Sequence, residues 1–212
     1  MESIVSFRDF EERDIDFIYK CKNDEKLNSL IVGEWRPFSY EQAKQWVCGC
    51  MGEHDTYKFW AICTNDADKR IVGWVSLSNI DKVNQCACFH GIVIGDMGFQ
   101  DGIAWIESYL FVYRYVFEEL SLNRLYGSNL EDQKATTCIG IAMFEQPEGI
   151  ARQAIYKNNK FNDVIHMSIL KDEYFTHKTN GDYELNKIIM RIGKARKEAY
   201  TARYIVRKIS NE

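Results

Sequence analysis

The chain has 212 residues, of which 46% are hydrophobic and 27% charged. That supplies one sizeable core and excludes a disordered or low-complexity chain. The formal charge of −4 is uneven, about +5 over residues 183–212 and −9 over the remainder, so nucleic acid is not expected to bind the body and only the tail leaves that partner open.

The longest apolar run, Tyr109 to Phe117, is broken by Arg114 and is far shorter than the roughly 18 residues of a membrane span. The start, Met1-Glu2-Ser3, has neither the basic nor the apolar region of a secretory leader, so a cytoplasmic protein that does not enter membranes is expected. Seven cysteines, an odd number, read as reduced thiols. Cys48-Gly-Cys50 and Cys86-Ala-Cys88 have spacings too short for the usual zinc pairs, and packing is preferred to a metal site.

In chain order, Ser3 to Arg8 reads as a strand and Asp14 to Asn23 as a helix with Phe17, Ile18 and Cys21 on one side. Ser39-Tyr-Glu-Gln42 is a capping-box pattern that opens a second helix, Tyr40 to about Met51, with Trp46 and Val47 inward. Lys58 to Cys63, Ile71 to Ile80 and Cys86 to Ile94 are apolar runs separated by turn residues, the mark of a meander. From Gly102 to Leu120 the period becomes helical, through Ile106, Leu110, Tyr113, Phe117 and Leu120. A strand over Arg124 to Leu130, a helix over Gln133 to Phe144 and a hairpin of Gly149 to Tyr156 with Phe161 to Leu170 complete the pattern.

The junction Gly91-Ile-Val-Ile-Gly-Asp-Met-Gly-Phe-Gln-Asp-Gly-Ile-Ala104 runs from strand through a glycine-containing loop into the long helix. Such a junction aims orphan amides and the positive end of a helix dipole at one spot, which suits a phosphate; equally, glycines there serve as turns.

Ile71-Val-Gly-Trp-Val-Ser-Leu77, Gly91 to Asp96, Val116 to Leu125, Glu148-Gly-Ile-Ala-Arg152 and Tyr156 to Leu170 follow one another in the order found in the GNAT N-acetyltransferases, which this chain resembles over Ile71 to Tyr174. The nearest likeness is to the branch of ribosomal-protein, amino-sugar and polyamine acetyltransferases. The resemblance implies an α/β (α+β) acyltransferase fold, a mixed central sheet with helices on both faces that splays between its fourth and fifth strands. Residues 1–176 would form the GNAT-like domain and 177–212 a basic amphipathic helical extension.

It also implies acetyl-CoA as co-substrate, with no metal, and direct attack by an acceptor amine: a small amine, a nucleotide-linked amino sugar or a protein N-terminus. Ile92, Val93 and Ile94 would meet the pantetheine arm. Gln100, Asp101, Gly102, Ile103 and Ala104 would form the phosphate loop, with Asp132 or Gln133 in place of the family's pantetheine-binding asparagine. Asp101 introduces a carboxylate where pyrophosphate is expected, and the family's tyrosine acid falls on Ile139.

The candidate bases are His90 and Glu107, and each also has an ordinary reading, as a strand histidine and a surface glutamate. Trp35, Phe38, Tyr40 and Trp74 are candidates to line the acceptor site, or else core and cover. His166 is expected to be structural. In the tail, Leu185, Ile188, Ile189 and Ile192, continued by Ala195, Ala199, Ile205, Val206 and Ile209, form an apolar stripe that would pack on the body or form a homodimer, with RNA or an anionic surface as further readings. The competing function is a catalytically weakened GNAT-like module that binds a ligand or partner without turnover.

Overall fold

A computed structural model describes residues 3–29 and 35–209, the last twelve of these as helical backbone only. Met1 and Glu2 lie outside the described residues, as do the side chains of Ala199, Ile205, Val206 and Ile209. In chain order the elements are β1 Val5–Arg8, α1 Ile15–Lys22, α2 Glu25–Ser29, α3 Tyr40–Cys50, β2 Lys58–Thr64, β3 Ile71–Asp81, β4 Cys86–Ile94, α4 Ile103–Arg114, β5 Arg124–Leu130, α5 Lys134–Ala142, β6 Gln146–Lys157, β7 Lys160–Leu170, α6 Lys171–Thr179 and α7 Leu185–Ile209. They form a mixed α/β fold whose seven-stranded sheet has the order β1-β2-β3-β4-β5-β7-β6. Among the described residues, no helix is long and apolar enough to cross a membrane.

Two compact units divide the chain: Met1–Ile80 with His90–Ser108, and Asp81–Phe89 with Tyr109–Glu212. In the first unit, β1, β2 and β3 pair antiparallel, Val5 opposite Thr64 and Trp60 opposite Val75. Ile18, Cys21, Val47, Cys50, Ala61 and Trp74 are buried together beneath α1 and α3, with Phe17 and Trp46 packed against them. The Ser39 capping box forms as its sequence requires, Gln42 N–H on Ser39 Oγ at 3.2 Å and Ser39 N–H on Gln42 Oε1 at 2.8 Å. Gly73 is needed at its position: a Cβ there would stand 2.2 Å from the Val93 carbonyl oxygen.

In the second unit, β5 pairs parallel with the start of β4, Cys86 opposite Arg124 and Cys88 opposite Tyr126, and antiparallel with β7. A parallel pair needs a long crossover, supplied by α4 and the π-type turn Tyr115–Glu119 that continues it. The helical period expected to Leu120 therefore ends as a bulged turn. The β6–β7 hairpin is longer than its sequence suggested and is interrupted by bulges at Pro147/Gly149 and Ala151/Ile155.

The tail helix α7 packs on α5: Ile188 and Ala195 are fully buried, and Ala195 and Ile192 lie against Cys138, Ala142 and Ile141. Ile189, expected on the same stripe, is instead exposed. Ile188, Ile192 and Ala195 recur at three- and four-residue spacing and form the covered row, and Ile189 falls with exposed Met190 on the solvent side. His166 is also exposed, although Val164, Ile165, Met167 and Ser168 around it on β7 are all buried.

Candidate functional site

The geometry is built in the first unit, around the end of α1, the second half of β4 and the start of α4. Ile92 and Ile94 are buried and Val93 is half-buried, as alternation in a strand demands. The chain leaves β4 at Gly95, where a Cβ would lie 2.3 Å from Cys21 Sγ and 2.9 Å from the Phe17 ring; only glycine lets α1 sit this close. The amides of Gly95 and Asp96 both bond to the Val72 carbonyl, at 2.9 and 3.1 Å, which fixes the loop's departure.

In the loop, Asp96 accepts from the Gly98 amide at 2.9 Å and pairs with Arg70 at 2.7 Å, and the Arg70 guanidinium holds its carboxyl below the usual carboxylate range. Gln100 donates its side-chain amide to the Ile94 carbonyl at 3.0 Å. Asp101 turns its carboxylate onto the Ile103 amide at 2.9 Å, capping the first residue of α4. Gly102, at φ +98°, takes a left-handed conformation that favours glycine. Ala104 and Trp105 follow, and the first turn of a helix offers their amides no intrahelical acceptor. The loop thus ends in a cluster of backbone donors at a helix N-terminus, one of them already held by Asp101.

His90 sits exposed on β4, yet its pKa is held below the ordinary histidine value, first by the atoms crowding it and then by the charge of Lys22. Its imidazole is therefore neutral, and able to accept a proton, at neutral pH. Glu107 is tied to β1: its carboxylate accepts from Ser3 Oγ at 2.7 Å and from the amides of Ile4 and Val5 at 3.1 Å.

Of the four aromatic candidates, Trp74 is a core residue, 5% exposed, and presents its ring toward the Lys22 ammonium at 5.3 Å. Phe38 faces the same ammonium at 5.4 Å, and Trp46, which the sequence assigned only to packing, at 4.5 Å. Trp35 donates its indole N–H to the Lys22 carbonyl at 2.8 Å. Tyr40, 51% exposed, instead gives its hydroxyl to Asp16 at 2.9 Å. Lys22, noticed in the sequence only as part of the stretch Lys22-Asn-Asp24, was not among the expected site residues. Its signal is position: it continues the buried stripe of Ile15 and Ile18 at helical spacing, where a lysine is out of place.

In the second unit, Asp132 is exposed and lies 3.5 Å from Lys160, while Gln133 Oε1 accepts from the Leu130 amide at 3.0 Å. Ile139 is half-buried in α5, without any proton to give. Glu145 was also missed; it is buried, 3.4 Å from the Tyr113 hydroxyl, and burial pushes its carboxyl up to about 7. Cys48 is exposed and Cys50 buried, while Cys86 and Cys88 are half-buried. Burial raises the Cys50 and Cys21 thiols to about 12.

The family model for the acetyltransferase (GNAT) domain matches residues 5–153, which spans the loop, β4 and the crossover helix. The chain belongs to the GNAT acetyltransferase family. Three solved GNAT-type structures extend the likeness in fold. The spermidine N-acetyltransferase from Vibrio cholerae, solved in complex with CoA and spermine, is 20% identical over 82% of this chain and 99% of its own, with a TM-score of 0.71. A GNAT-family acetyltransferase from Bacillus anthracis is 19% identical over 82% and 98%, with a TM-score of 0.69. A GCN5-related N-acetyltransferase from Brucella melitensis is 17% identical over 88% and 85%, with a TM-score of 0.70. Comparison with curated protein sequences gives no match.

Proposed function

We propose that this GNAT protein transfers the acetyl group of acetyl-CoA to an amine, with His90 as general base. The observation that carries the reading is the placement of His90 on β4, the strand that runs through Ile94 into the loop and the donor cluster at α4. Acetyl-CoA supplies the activated thioester. Its phosphates would be held by the backbone of Gly102, Ile103 and Ala104 at the N-terminus of α4, and its pantetheine arm by Ile92, Val93 and Ile94. The fit is supported by the first-turn amides described above and opposed at one point, Asp101, whose carboxylate occupies the first of them.

His90 removes a proton from the acceptor ammonium, directly or through water, and later returns it to solvent; the free amine attacks the thioester carbon, the C–S bond breaks, and the departing thiolate takes, directly or through water, the second proton that the newly acylated nitrogen gives up. Glu107 is left out of this scheme because its oxygens are committed to Ser3, Ile4 and Val5. Asp132 and Gln133 are left out for the partners already named. Polyamines belong in any acceptor screen, as do amino sugars and peptide N-termini, and a cytoplasmic location fits acetyl-CoA as co-substrate.

Ile139 favours a second reading, a protein that binds the coenzyme with little turnover. Calorimetry with acetyl-CoA, coenzyme A and desulfo-coenzyme A, followed by thiol release across amine classes, tests both. No binding at millimolar coenzyme ends the enzyme reading, and binding without thiol release for any amine selects the second.

A further inference from the structure

Lys22 ends α1 in an aromatic box. Its ammonium lies 4.5, 5.3 and 5.4 Å from the ring centroids of Trp46, Trp74 and Phe38. The box is held from behind. The Lys22 carbonyl, an orphan of the helix C-terminus, accepts from Trp35 Nε1 at 2.8 Å and from Asn28 Nδ2 at 3.3 Å. Asn23, the next residue, bonds both the amide and the carbonyl of Phe38, at 3.0 and 3.1 Å. The side chain is thus positioned by the backbone rather than left to roam.

A lysine placed in this way is normally paired with a carboxylate. Here, among the described residues, no Asp or Glu forms an ion pair with it, and the neighbouring thiols of Cys50 and Cys21 are held neutral by burial and supply no counter-charge. Burial works against the ammonium, and three ring faces compensate only in part. Cys21, the residue before Lys22, packs against Gly95 at the end of β4, so the end of α1 that carries this cation lies against the strand that carries His90, whose pKa the charge of Lys22 helps to lower.

We propose that Lys22 reads an anionic group on the acceptor, so that the amine this protein acetylates also carries a carboxylate or a phosphate. The inference rests on the acetyl-transfer reading and deepens it. An anion at Lys22 supplies the missing counter-charge, and the aromatic faces exclude water from the pair, which strengthens it. A polyamine, cationic along its length, meets repulsion at the same place. Neutralising Lys22 also lifts its field from His90, so a correct acceptor makes the imidazole more basic as it binds.

The test uses matched acceptors with coenzyme A present: glucosamine 1-phosphate against glucosamine, an amino acid against its amide, and spermidine. Binding is measured by calorimetry on the wild-type chain, Lys22→Met and Lys22→Arg, each checked for a native melting transition. The expected result is a preference of roughly tenfold or more for the anionic member of one pair, lost in Lys22→Met and kept in Lys22→Arg. Which pair shows it separates phosphate from carboxylate. A wild-type protein that prefers spermidine or does not discriminate within either pair overturns the assignment, and so does a preference that survives Lys22→Met. Because these are binding measurements, failure of acetyl transfer is read separately from thiol release.

Discussion

Asp101 Oδ1 accepts the amide hydrogen of Ile103 at 2.9 Å, so the first backbone donor of α4 is already satisfied by a carboxylate from the same loop. An anion arriving at this helix end must displace it or share with it, against like charge. Asp101→Ala is expected to tighten coenzyme A by about three- to tenfold in calorimetry, while losing about 0.5–1 kcal/mol of fold stability through the cap. Opposite signs in the two measurements identify the competition. Weaker binding would mean that Asp101 orders the loop for the coenzyme.

His90 is held below the ordinary histidine value by crowding and by Lys22. The acid limb of kcat/KM is therefore expected below the usual histidine range, and Lys22→Met moves it upward, since removing a neighbouring positive charge favours the imidazolium. His90→Ala lowers the neutral-pH rate by about a hundredfold or more. A pH–rate profile whose limb does not move in Lys22→Met separates the two residues.

Glu145 is buried, with a carboxyl raised to about 7 from 4.5. Its folded pKa lies above the unfolded one, so the native state binds more protons between these values and stability falls as pH rises from about 4.5 to 7. At about 1.4 kcal/mol per unit the loss approaches ~3 kcal/mol above pH 7. Glu145→Gln should raise the melting temperature at pH 8 and change it little at pH 4.5. An equal effect at both pH values would point to packing instead.

At Gly73 even one methyl group collides with the Val93 carbonyl, which lies 2.2 Å from the Cβ position. Backbone cannot yield as a side-chain tip does, and Gly73→Ala is expected to cost about 3 kcal/mol or more, read by urea denaturation. Gly91→Ala is the control: φ is +141° but no atom stands within 4 Å, so only backbone strain of about 1 kcal/mol is felt.

The strands of the first unit were legible because β2, β3 and β4 alternate or run apolar between unmistakable turn residues, and α3 because its capping box is written in four residues. By contrast α6 carries little signal: of Lys171–Thr179 only Tyr174 is buried, so no apolar stripe marks the helix. α2 is five residues long, too short for a period to show. At the site, β4 and the loop could be read from glycine placement, yet the roles of individual side chains could not. Nothing near Glu107 announces that Ser3 and Val5, about a hundred positions away, will claim its oxygens. Lys22 is out of place on the buried stripe of α1, but what surrounds its ammonium shows only once three rings from other elements have converged on it.

The tail looked from its composition like a basic rod, with charge to spare for a partner. Arg191 donates to the Ala142 carbonyl at 2.9 Å and to the Asp182 carbonyl at 2.8 Å, and Lys187 to the Gly181 carbonyl at 2.9 Å. Two of its cations are thus the stopper of α5 and the clasp of the preceding turn. Shortening the chain at Tyr183 would strip a helix of its terminus and uncover Cys138 and Ala142, so a truncated protein that fails to bind RNA would report damage rather than a lost contact. Charge reversal at the exposed Lys194, with the chain left whole, puts the question without breaking the object asked.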